Sequence, residues 1–330
     1  MIYAPIIIPT LNRYECLKKC VESLQKNTWA DETELYISVD YPPAEKYEYG
    51  YRKIKEYLDK EITGFKKVNV FFQGKNLGPI ENVNWLYEKA FSKYDRVIFM
   101  EDDNEVAPSF IQFCDKGLEL FDRYEDIIAI NASDYVWCGK GFTPPINTVN
   151  LGDVNIEKRQ MIFHAFATWK NKKEKVYDWA ENGMLYMLGK SNYKMLKLYK
   201  KSTSLFYTYL YRVCITNDQL PWYKGRLHAI DFCWDLYMVM LDKYVIAPIE
   251  PLIRDLGVDG NGVNYTDAFS NSNELKCRPL KKEKTFDYVI EKINISDREL
   301  KLHDSQLRKE PIWRRWRIIW KFLWNYRRRV

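Results

Sequence analysis

The chain has 330 residues and a mass of 39.6 kDa, which is enough for one elaborate domain or for two. Its 46% hydrophobic and 16% aromatic residues exclude an intrinsically disordered chain. The net charge of +6 comes from residues 311–330, whose seven Lys/Arg and no acid leave 44 bases and 45 acids in residues 1–310. A neutral body argues against a nucleic-acid-binding protein, which would carry a basic face on its folded domain.

The cysteines and the apolar runs indicate the compartment. Seven cysteines without CxxC spacing suggest neither a disulfide framework nor a zinc cluster, so a reducing cytoplasm is expected. The N-terminal MIYAPIIIPT lacks the basic segment of a signal peptide. No apolar run approaches the roughly 20 residues that a membrane span needs.

The first hundred residues alternate between short apolar runs and amphipathic segments. Strands are predicted at Ala4–Thr10, Glu34–Asp40, Lys67–Gln73 and Arg96–Met100, and helices at Glu15–Lys26, at Tyr47–Leu58 and from Pro79 onward. This alternation predicts a parallel, doubly wound α/β sheet, in which ligands bind at the carboxyl ends of the strands. Those ends read PTLNR, SVDYPP, QGKNLGP and MEDDNE.

The second half of the chain is less regular. Strands are predicted around Ile127–Ala132, Met161–Ala167 and Tyr244–Ile249, and helices around Glu174–Glu181, Lys190–Lys200 and Phe232–Leu241. A Gly-rich segment follows at Asp255–Val263. Residues 271–310 are highly charged and are interpreted as a peripheral connector.

The C-terminal residues 311–330 predict an amphipathic helix. One stripe of this helix would hold Trp313, Trp316, Ile319, Trp320, Leu323 and Trp324, with Arg and Lys on its flanks. An aromatic face beside an Arg-rich face is typical of a helix that lies on an anionic membrane. The alternative is a helix docked on the protein's own surface or on a partner subunit.

Several site classes do not fit the motifs. No GxGxxG follows the first strand, so a dinucleotide-binding fold is not indicated. The segment Gly183–Ser191 resembles a phosphate loop but has five residues between its glycines where four are needed. His164, His228 and His303 form no HExxH motif, which argues against a hydrolytic zinc site.

The acidic triplet Glu101–Asp103 is the strongest chemical signal. It ends an apolar strand, and carboxylates at that position can bind Mg²⁺ or Mn²⁺ together with a substrate diphosphate. Asp40 ends the second strand in the same way. The alternative for the triplet is a solvated loop, and Glu105 is interpreted as a solvated or acceptor-side acid.

Several blocks resemble a known family. PIIIPTLNRYECLKKCVESL, NLGPIENVNWLYEKAF and IFMEDDNEVAPSFIQF resemble the nucleotide-sugar half of GT-A glycosyltransferases, especially bacterial family-2-like enzymes, with similarity to the N-acetylglucosaminyltransferase I group. FHAFATWKNKKEKVYD, CWDLYM and RDLGVDGNGV resemble blocks in the same order in bacterial capsule and O-antigen transferases. The match spans roughly residues 4–265 and implies an α/β GT-A fold with a doubly wound mixed sheet.

The resemblance also implies a donor site at the strand ends. Its nucleotide-binding residues would be Pro9, Thr10 and Arg13 beside uracil and ribose, Asp40 at the base, Asn76 and Gly78 along the nucleotide, and Glu101 and Asp102 at the ribose and donor sugar. Asp103, the last acid of a DXD-like motif, would ligate Mn²⁺ or Mg²⁺. The alternative for Asp40 is a turn acid that ends its strand.

An inverting transferase also needs a base for the acceptor hydroxyl, and a carboxylate can serve. Asp231 and Asp235 are the candidates, and their i, i+4 spacing places both on one helix face. Asp235 is favoured because its WD dipeptide matches the family block, and Asp231 is then predicted to be the N-cap.

Two further segments have roles that stay open. Trp169 could be a stacking platform or part of a core strand. The DGNGV segment resembles a loop that closes over the diphosphate, but Asn264 and Tyr265 stand where relatives often have a histidine, which leaves a metal role for this loop in doubt.

These inferences define four segments and one function. Residues 1–110 would bind the nucleotide sugar, 111–270 would form the acceptor-binding and catalytic half of the same domain, 271–310 the connector, and 311–330 the membrane helix. We expect a metal-dependent inverting transfer from a UDP-sugar to a glycan acceptor that is lipid-linked, in surface polysaccharide synthesis. The enzyme is expected on the inner face of the membrane and without a nucleic-acid partner.

Two alternatives to this function remain. A nucleotidyltransferase would need a Gly-rich basic loop after the first strand, and PTLNRYE lacks one. A transferase-like scaffold without catalytic activity would assemble a complex at the membrane through its C-terminal segment.

Overall fold

The structure is a computed structural model. It describes residues 2–132, 154–157, 161, 163–180, 191–210, 222–223, 226–227, 230–248, 250–257, 280, 282–288, 313 and 315–320. The phosphate-loop-like residues 183–190, His228, His303, the loop residues 258–265 and most of the connector 271–310 lie outside these ranges.

A mixed sheet of eight strands forms the centre of the described structure. In sheet order its strands are β3 (Lys67–Phe72), β2 (Glu34–Val39), β1 (Ile6–Thr10), β4 (Arg96–Met100), β8 (Ala165–Trp169), β6 (Ile127–Asn131), β11 (Tyr244–Pro248) and β7 (Val154–Glu157). Strand β8 runs antiparallel to β4 and β6, β7 runs antiparallel to β11, and the remaining neighbours are parallel. The predicted doubly wound mixed sheet is confirmed.

Two short antiparallel pairs lie outside this sheet. One joins β5 (Asn104–Val106) to β12 (Ile253–Asp255), and the other joins β9 (Trp222–Tyr223) to β10 (Arg226–Leu227). The β5–β12 pair begins directly after the acidic triplet.

The helices cover both faces of the sheet. They are α1 (Tyr14–Leu24), α2 (Glu48–Leu58), α3 (Pro79–Phe91), α4 (Phe110–Leu120), α5 (Lys170–Trp179), α6 (Asn192–Lys201), α7 (Thr203–Tyr209) and α8 (Ile230–Leu241). Short 3₁₀ turns lie at Ala30–Glu32 and Glu45–Tyr47, and residues 315–320 are helical. No helix in the described part of the chain is both long enough and apolar enough to cross a bilayer.

Alternating side chains of β1 explain why the strand is buried on both faces. Ile6 and Ile8 pack with Leu17 of α1 on one face, whereas Ile7 packs with Leu86 of α3 on the other. Each is fully buried, which stabilises the fold by about 1.5–3 kcal/mol per side chain. Both faces of the strand are apolar because helices cover both.

Helix α8 lies between the sheet and an outer helical layer. Its Trp234 packs into the core below the sheet, and its Leu236 packs with Leu198 of α6 and Tyr209 of α7. Ile318 of the C-terminal helical segment then packs on α7. The second half of the chain therefore adds layers outward from α8.

Trp169 lies in the core and away from the strand ends predicted to bind the donor. It pairs with Arg96 at the amino end of β4 and is buried under the ammonium group of Lys172, 3.6 Å from the ring centre. The stacking-platform interpretation is therefore wrong, and the core-strand alternative holds. Helix α5 also begins at Lys170, four residues before its predicted start, and the buried ammonium of its Lys172 donates to the Phe121 and Tyr124 carbonyls at 3.2 and 3.0 Å.

Candidate active site

The acidic triplet lies at the carboxyl edge of the sheet. Strands β1 and β4 are parallel neighbours, so the residues that follow them meet at one edge. The Thr10 hydroxyl donates to Asp102 Oδ2 at 2.6 Å. Arg13 donates to Asp102 Oδ1 at 2.9 Å and lies 2.7 Å from Asp103 Oδ2. One guanidinium group thus bridges two carboxylates.

Burial sets the protonation behaviour of this cluster. It raises the pKa of Asp102 above the usual range, although Arg13 offsets part of that rise. It also raises the pKa of Glu101 to about 7, with the neighbouring acids adding to the shift and His164 opposing it. Burial alone would lower the pKa of Arg13, but the two carboxylates hold it above its ordinary value. Arg13 therefore stays charged and compensates the negative charge.

The residues present fit a hard divalent cation that takes its other ligands from a substrate. Asp103 Oδ1 and Asn104 Oδ1 are buried and have no hydrogen-bond partner, which is costly unless a positive group meets them. Within the described ranges, no three His, Cys, Asp or Glu side chains form a complete metal site. Mg²⁺ and Mn²⁺ sites of this kind need only one or two carboxylates, since phosphates and water complete the coordination.

A strap of residues 252–257 crosses the acidic cluster, and no sequence pattern predicted its contacts. Arg254 donates to Glu105 through Nε at 3.0 Å and also through Nη2. The backbone N–H of Leu256 donates to the Asp103 carbonyl at 2.7 Å. Glu105 anchors this strap while its side chain is partly exposed, so its interpretation as a solvated or acceptor-side acid stays a prediction.

Gly257 lies directly against the carboxylate of Asp103. A methyl group added at Gly257 would overlap Asp103 Oδ2 and would lie 3.1 Å from Arg13 Nη1. Its N–H donates to Asp255 Oδ1 at 2.7 Å, and Asp255 Oδ2 lies 3.6 Å from His164 Nδ1. A residue with a side chain at position 257 would therefore displace the proposed metal ligand.

Asp40 organises the loop after β3. Its Oδ1 accepts from the backbone N–H groups of Tyr41 and Leu77 at 2.9 and 2.8 Å. Its Oδ2 accepts from the Gly78 N–H at 2.8 Å and from Asn76 Nδ2 at 3.1 Å. Four hydrogen bonds to one carboxylate favour the turn-acid alternative, so its recognition of a base stays a prediction.

The structure places the remaining sequence-predicted residues at the same edge or on α8. Pro9 is half-buried in β1 and pairs with Ser38 of β2. Asp235 Oδ1 accepts the Met161 N–H at 2.8 Å, which holds its carboxylate against the segment leading into β8. Asp231 is exposed. The N-cap prediction for Asp231 is wrong, because the helix already begins at Ile230.

The arrangement joins a cationic side chain, clustered buried acids and unsatisfied oxygens at the ligand-binding edge of an α/β sheet. Profile comparison matches residues 6–185 to glycosyl transferase family 2, which is more than half of the chain. The chain belongs to this family of glycosyltransferases, and its sheet has the GT-A fold. No curated protein sequence matches the chain significantly.

Solved glycosyltransferases show weak structural similarity to the chain. TarS 1–349 of S. aureus, in complex with UDP, has a TM-score of 0.38 at 13% identity, and the aligned region covers 54% of this chain and 49% of the TarS chain. The mannosyltransferase PcManGT of Pyrobaculum calidifontis, with GDP-Man and Mn²⁺, has a TM-score of 0.36 at 11% identity, with 53% of this chain and 46% of PcManGT aligned. The galactosyltransferase LgtC, with donor and acceptor sugar analogs, has a TM-score of 0.32 at 13% identity, with 54% of this chain and 64% of LgtC aligned. The chain spans about half to two thirds of these structures, and similarity at this level carries no information on its donor or acceptor.

Proposed function

We propose that the protein transfers a sugar from a UDP-sugar, with Mn²⁺ or Mg²⁺, to a glycan acceptor with inversion at the anomeric carbon. The observation that carries the proposal is the buried oxygen Asp103 Oδ1, which has no hydrogen-bond partner at the carboxyl edge of a family 2 sheet. A divalent cation would satisfy this oxygen and stabilise the charge that develops on the leaving diphosphate.

Arg13 has a second task in this proposal. Its guanidinium bridges Asp102 and Asp103 and therefore holds both carboxylates in fixed orientations. A planar guanidinium also binds phosphate oxygens well. With Asp103 holding the cation, Arg13 would keep Asp102 in place and its other N–H groups could donate to the diphosphate.

Asp235 is the proposed base for the acceptor hydroxyl. Its Oδ1 accepts the Met161 N–H, which fixes the orientation of the carboxylate that would accept the proton. The acceptor oxygen forms the new bond to the anomeric carbon while the bond to the diphosphate breaks with its electron pair. Asp231 is exposed one turn away on the same helix, which makes it the second candidate.

The acceptor and the location are also part of the proposal. A lipid-linked glycan, as used in surface polysaccharide synthesis, would be reached by an enzyme that lies on the inner face of a membrane. The basic aromatic segment 311–330 would hold it there. The exposed tryptophans of residues 313–320 support this placement.

The first experiment identifies the donor. A thermal-shift panel of UDP-, GDP- and CMP-sugars should show stabilisation by UDP-sugars in the presence of Mn²⁺, because a ligand that binds only the folded state raises its stability. Release of UDP from the stabilising sugar then measures turnover. Stabilisation by CMP-sugars alone would contradict the proposed donor class.

The second experiment identifies the base. Asp235→Asn and Asp231→Asn remove the same charge one helical turn apart, so each is the matched control for the other. We expect Asp235→Asn to reduce transfer by about 10²–10⁴-fold, the range for loss of a general base, and to reduce it more than Asp231→Asn does. A larger loss for Asp231→Asn would reverse the assignment. Release of pyrophosphate from UTP and a sugar 1-phosphate, without release of UDP from any nucleotide sugar, would indicate a nucleotidyltransferase, and folded protein with neither activity would indicate the scaffold.

A further inference from the structure

The outer helical layer exposes large apolar side chains to solvent. Twelve large hydrophobic residues are exposed in the described structure. Half of them lie in α6 and the C-terminal helical segment, where Tyr193, Leu196, Trp313, Trp316 and Trp320 are 77%, 51%, 65%, 67% and 66% exposed and Tyr199 is 41% exposed. These six residues form two exposed apolar stripes, one on each helix.

The C-terminal segment is docked with its tryptophans facing outward. Ile318 is buried against Tyr207 and Leu210, and the guanidinium of Arg315 lies 5.9 Å from the Tyr207 ring centre. Trp313, Trp316 and Trp320 follow i, i+3, i+7 spacing, which places them together on one side. The helix therefore uses Ile318 to attach to the protein and presents tryptophan away from it.

Helix α6 attaches to the same support in the same manner. Its Leu198 is fully buried with Tyr209 and Leu236, and its Met195 packs into the small cluster around Ile318. Tyr193 and Leu196 are spaced i, i+3 on the exposed side of the helix. Both helices thus rest on α7 and turn an apolar stripe outward.

All charged residues in these two segments are cationic. Residues 191–210 contain four lysines and no acid, and residues 313–320 contain three arginines and no acid. One of these cations, Lys201, pairs with Asp242 of the α8–β11 turn. Cations beside exposed aromatic residues match an anionic lipid surface, where the rings enter the interface and the cations meet the headgroups.

We infer that α6 and the C-terminal helical segment form one composite binding face for an anionic bilayer. This inference rests on the proposed function, because it makes the bilayer the place where the acceptor is found. It goes further by assigning half of the membrane contact to α6. The face also lies against α8, which carries Asp235, so lipid binding would orient the acceptor half of the site toward the bilayer.

The test measures binding of the full-length protein to vesicles by sedimentation. Tyr193→Ser/Leu196→Ser should weaken binding to phosphatidylglycerol-containing vesicles at least about fivefold, since it removes two of the six exposed apolar side chains of this face. Tyr49→Ser/Leu120→Ser, which changes a tyrosine and a leucine exposed elsewhere, is the matched control and should bind like the unchanged protein. Lys197→Gln should weaken binding about fivefold and only to anionic vesicles.

Several results would overturn the composite face. Unchanged vesicle binding of Tyr193→Ser/Leu196→Ser would restrict the contact to the C-terminal segment. Equal binding to pure phosphatidylcholine would contradict the charge argument. A change from dimer to monomer in sedimentation velocity, with vesicle binding unchanged, would assign the face to a second copy of the chain. Turnover of a soluble nucleotide sugar is measured in parallel, so failure of this inference is distinguishable from failure of the proposed function.

Discussion

Buried carboxylates lie at both edges of the central sheet, and their surroundings differ. At the carboxyl edge, Asp102 and Asp103 share the guanidinium of Arg13. At the amino edge, Asp115 accepts one hydrogen bond from the Ala4 N–H at 2.9 Å, and its Oδ2 is buried without a partner. The first edge compensates charge with a cation, whereas at the second edge burial raises the pKa of the carboxyl group.

The comparison shows which features separate acids proposed to take part in catalysis from acids that are only buried in the fold. Burial raises the pKa of Asp115 to about 7, so the shifted pKa of Glu101 is no sign of function by itself. The feature that distinguishes the carboxyl edge is the shared cation Arg13, since Asp103 and Asp115 each have one buried oxygen without a hydrogen-bond partner. Four changes test this distinction, from the largest expected effect to the smallest.

Asp103→Ala should reduce nucleotide-sugar turnover about 10³-fold, because it removes the proposed metal ligand where leaving-group charge develops. The measurement is UDP release at saturating donor and Mn²⁺. Asp115→Asn is the control at the opposite edge and should stay within about twofold of the unchanged protein. Equal losses in both variants would show that the two edges do not differ in function.

Asp115→Asn should instead change the stability of the protein with pH. The folded pKa of about 7 exceeds the ordinary value of 3.8, so stability is full at low pH and falls as the pH rises through this window. Asparagine does not titrate. The unfolding free energy of Asp115→Asn, relative to that of the unchanged protein, should therefore rise by about 3 kcal/mol between pH 4 and pH 8. Thermal unfolding at both pH values measures this, with exposed Asp59→Asn as the control. A pH-independent difference would contradict burial as the cause.

Gly257→Ala should lower turnover about 30-fold, since a displacement of about 1 Å in a catalytic group can cost up to 10²-fold. The added methyl group would overlap the Asp103 carboxylate. Gly74→Ala is the matched control because an added methyl there meets nothing within 4 Å. Unchanged turnover with intact folding would show that Asp103 can move without loss.

Arg254→Met should have the smallest effect, about 0.5–1 kcal/mol in unfolding free energy, because its ion pair with Glu105 is partly exposed to solvent. Turnover should fall less than in Gly257→Ala, since the Leu256 N–H still holds the Asp103 carbonyl. A loss of turnover as large as that of Asp103→Ala would assign Arg254 a direct role at the site.

Local sequence patterns predicted the sheet well. Strand β4 matches its predicted bounds because the apolar run of Arg96–Met100 lies between polar residues on both sides. Helix α3 begins at Pro79, as predicted, after Gly78 with φ of 80°. The meeting of Thr10 and Arg13 with the acidic triplet also follows from parallel neighbouring strands.

Long-range contacts could not be predicted in this way. Glu105 and Arg254 are 149 residues apart, and no periodicity links them. Trp169 has the residue type of a stacking platform, but the register of β8 carries it to the opposite edge of the sheet. The C-terminal helix attaches to the rest of the protein through Ile318, which was not part of the predicted apolar stripe.

Under the proposed function, the Arg13 bridge would determine the order in which cation and donor bind. Because the guanidinium already compensates part of the charge of Asp102 and Asp103, a free cation would stabilise the protein less than the cation does together with the nucleotide. A chelator should therefore leave the melting temperature unchanged, and Mn²⁺ alone should raise it less than Mn²⁺ with UDP. The cation would enter as its complex with the nucleotide, so that initial-rate kinetics show a dependence on the concentration of that complex.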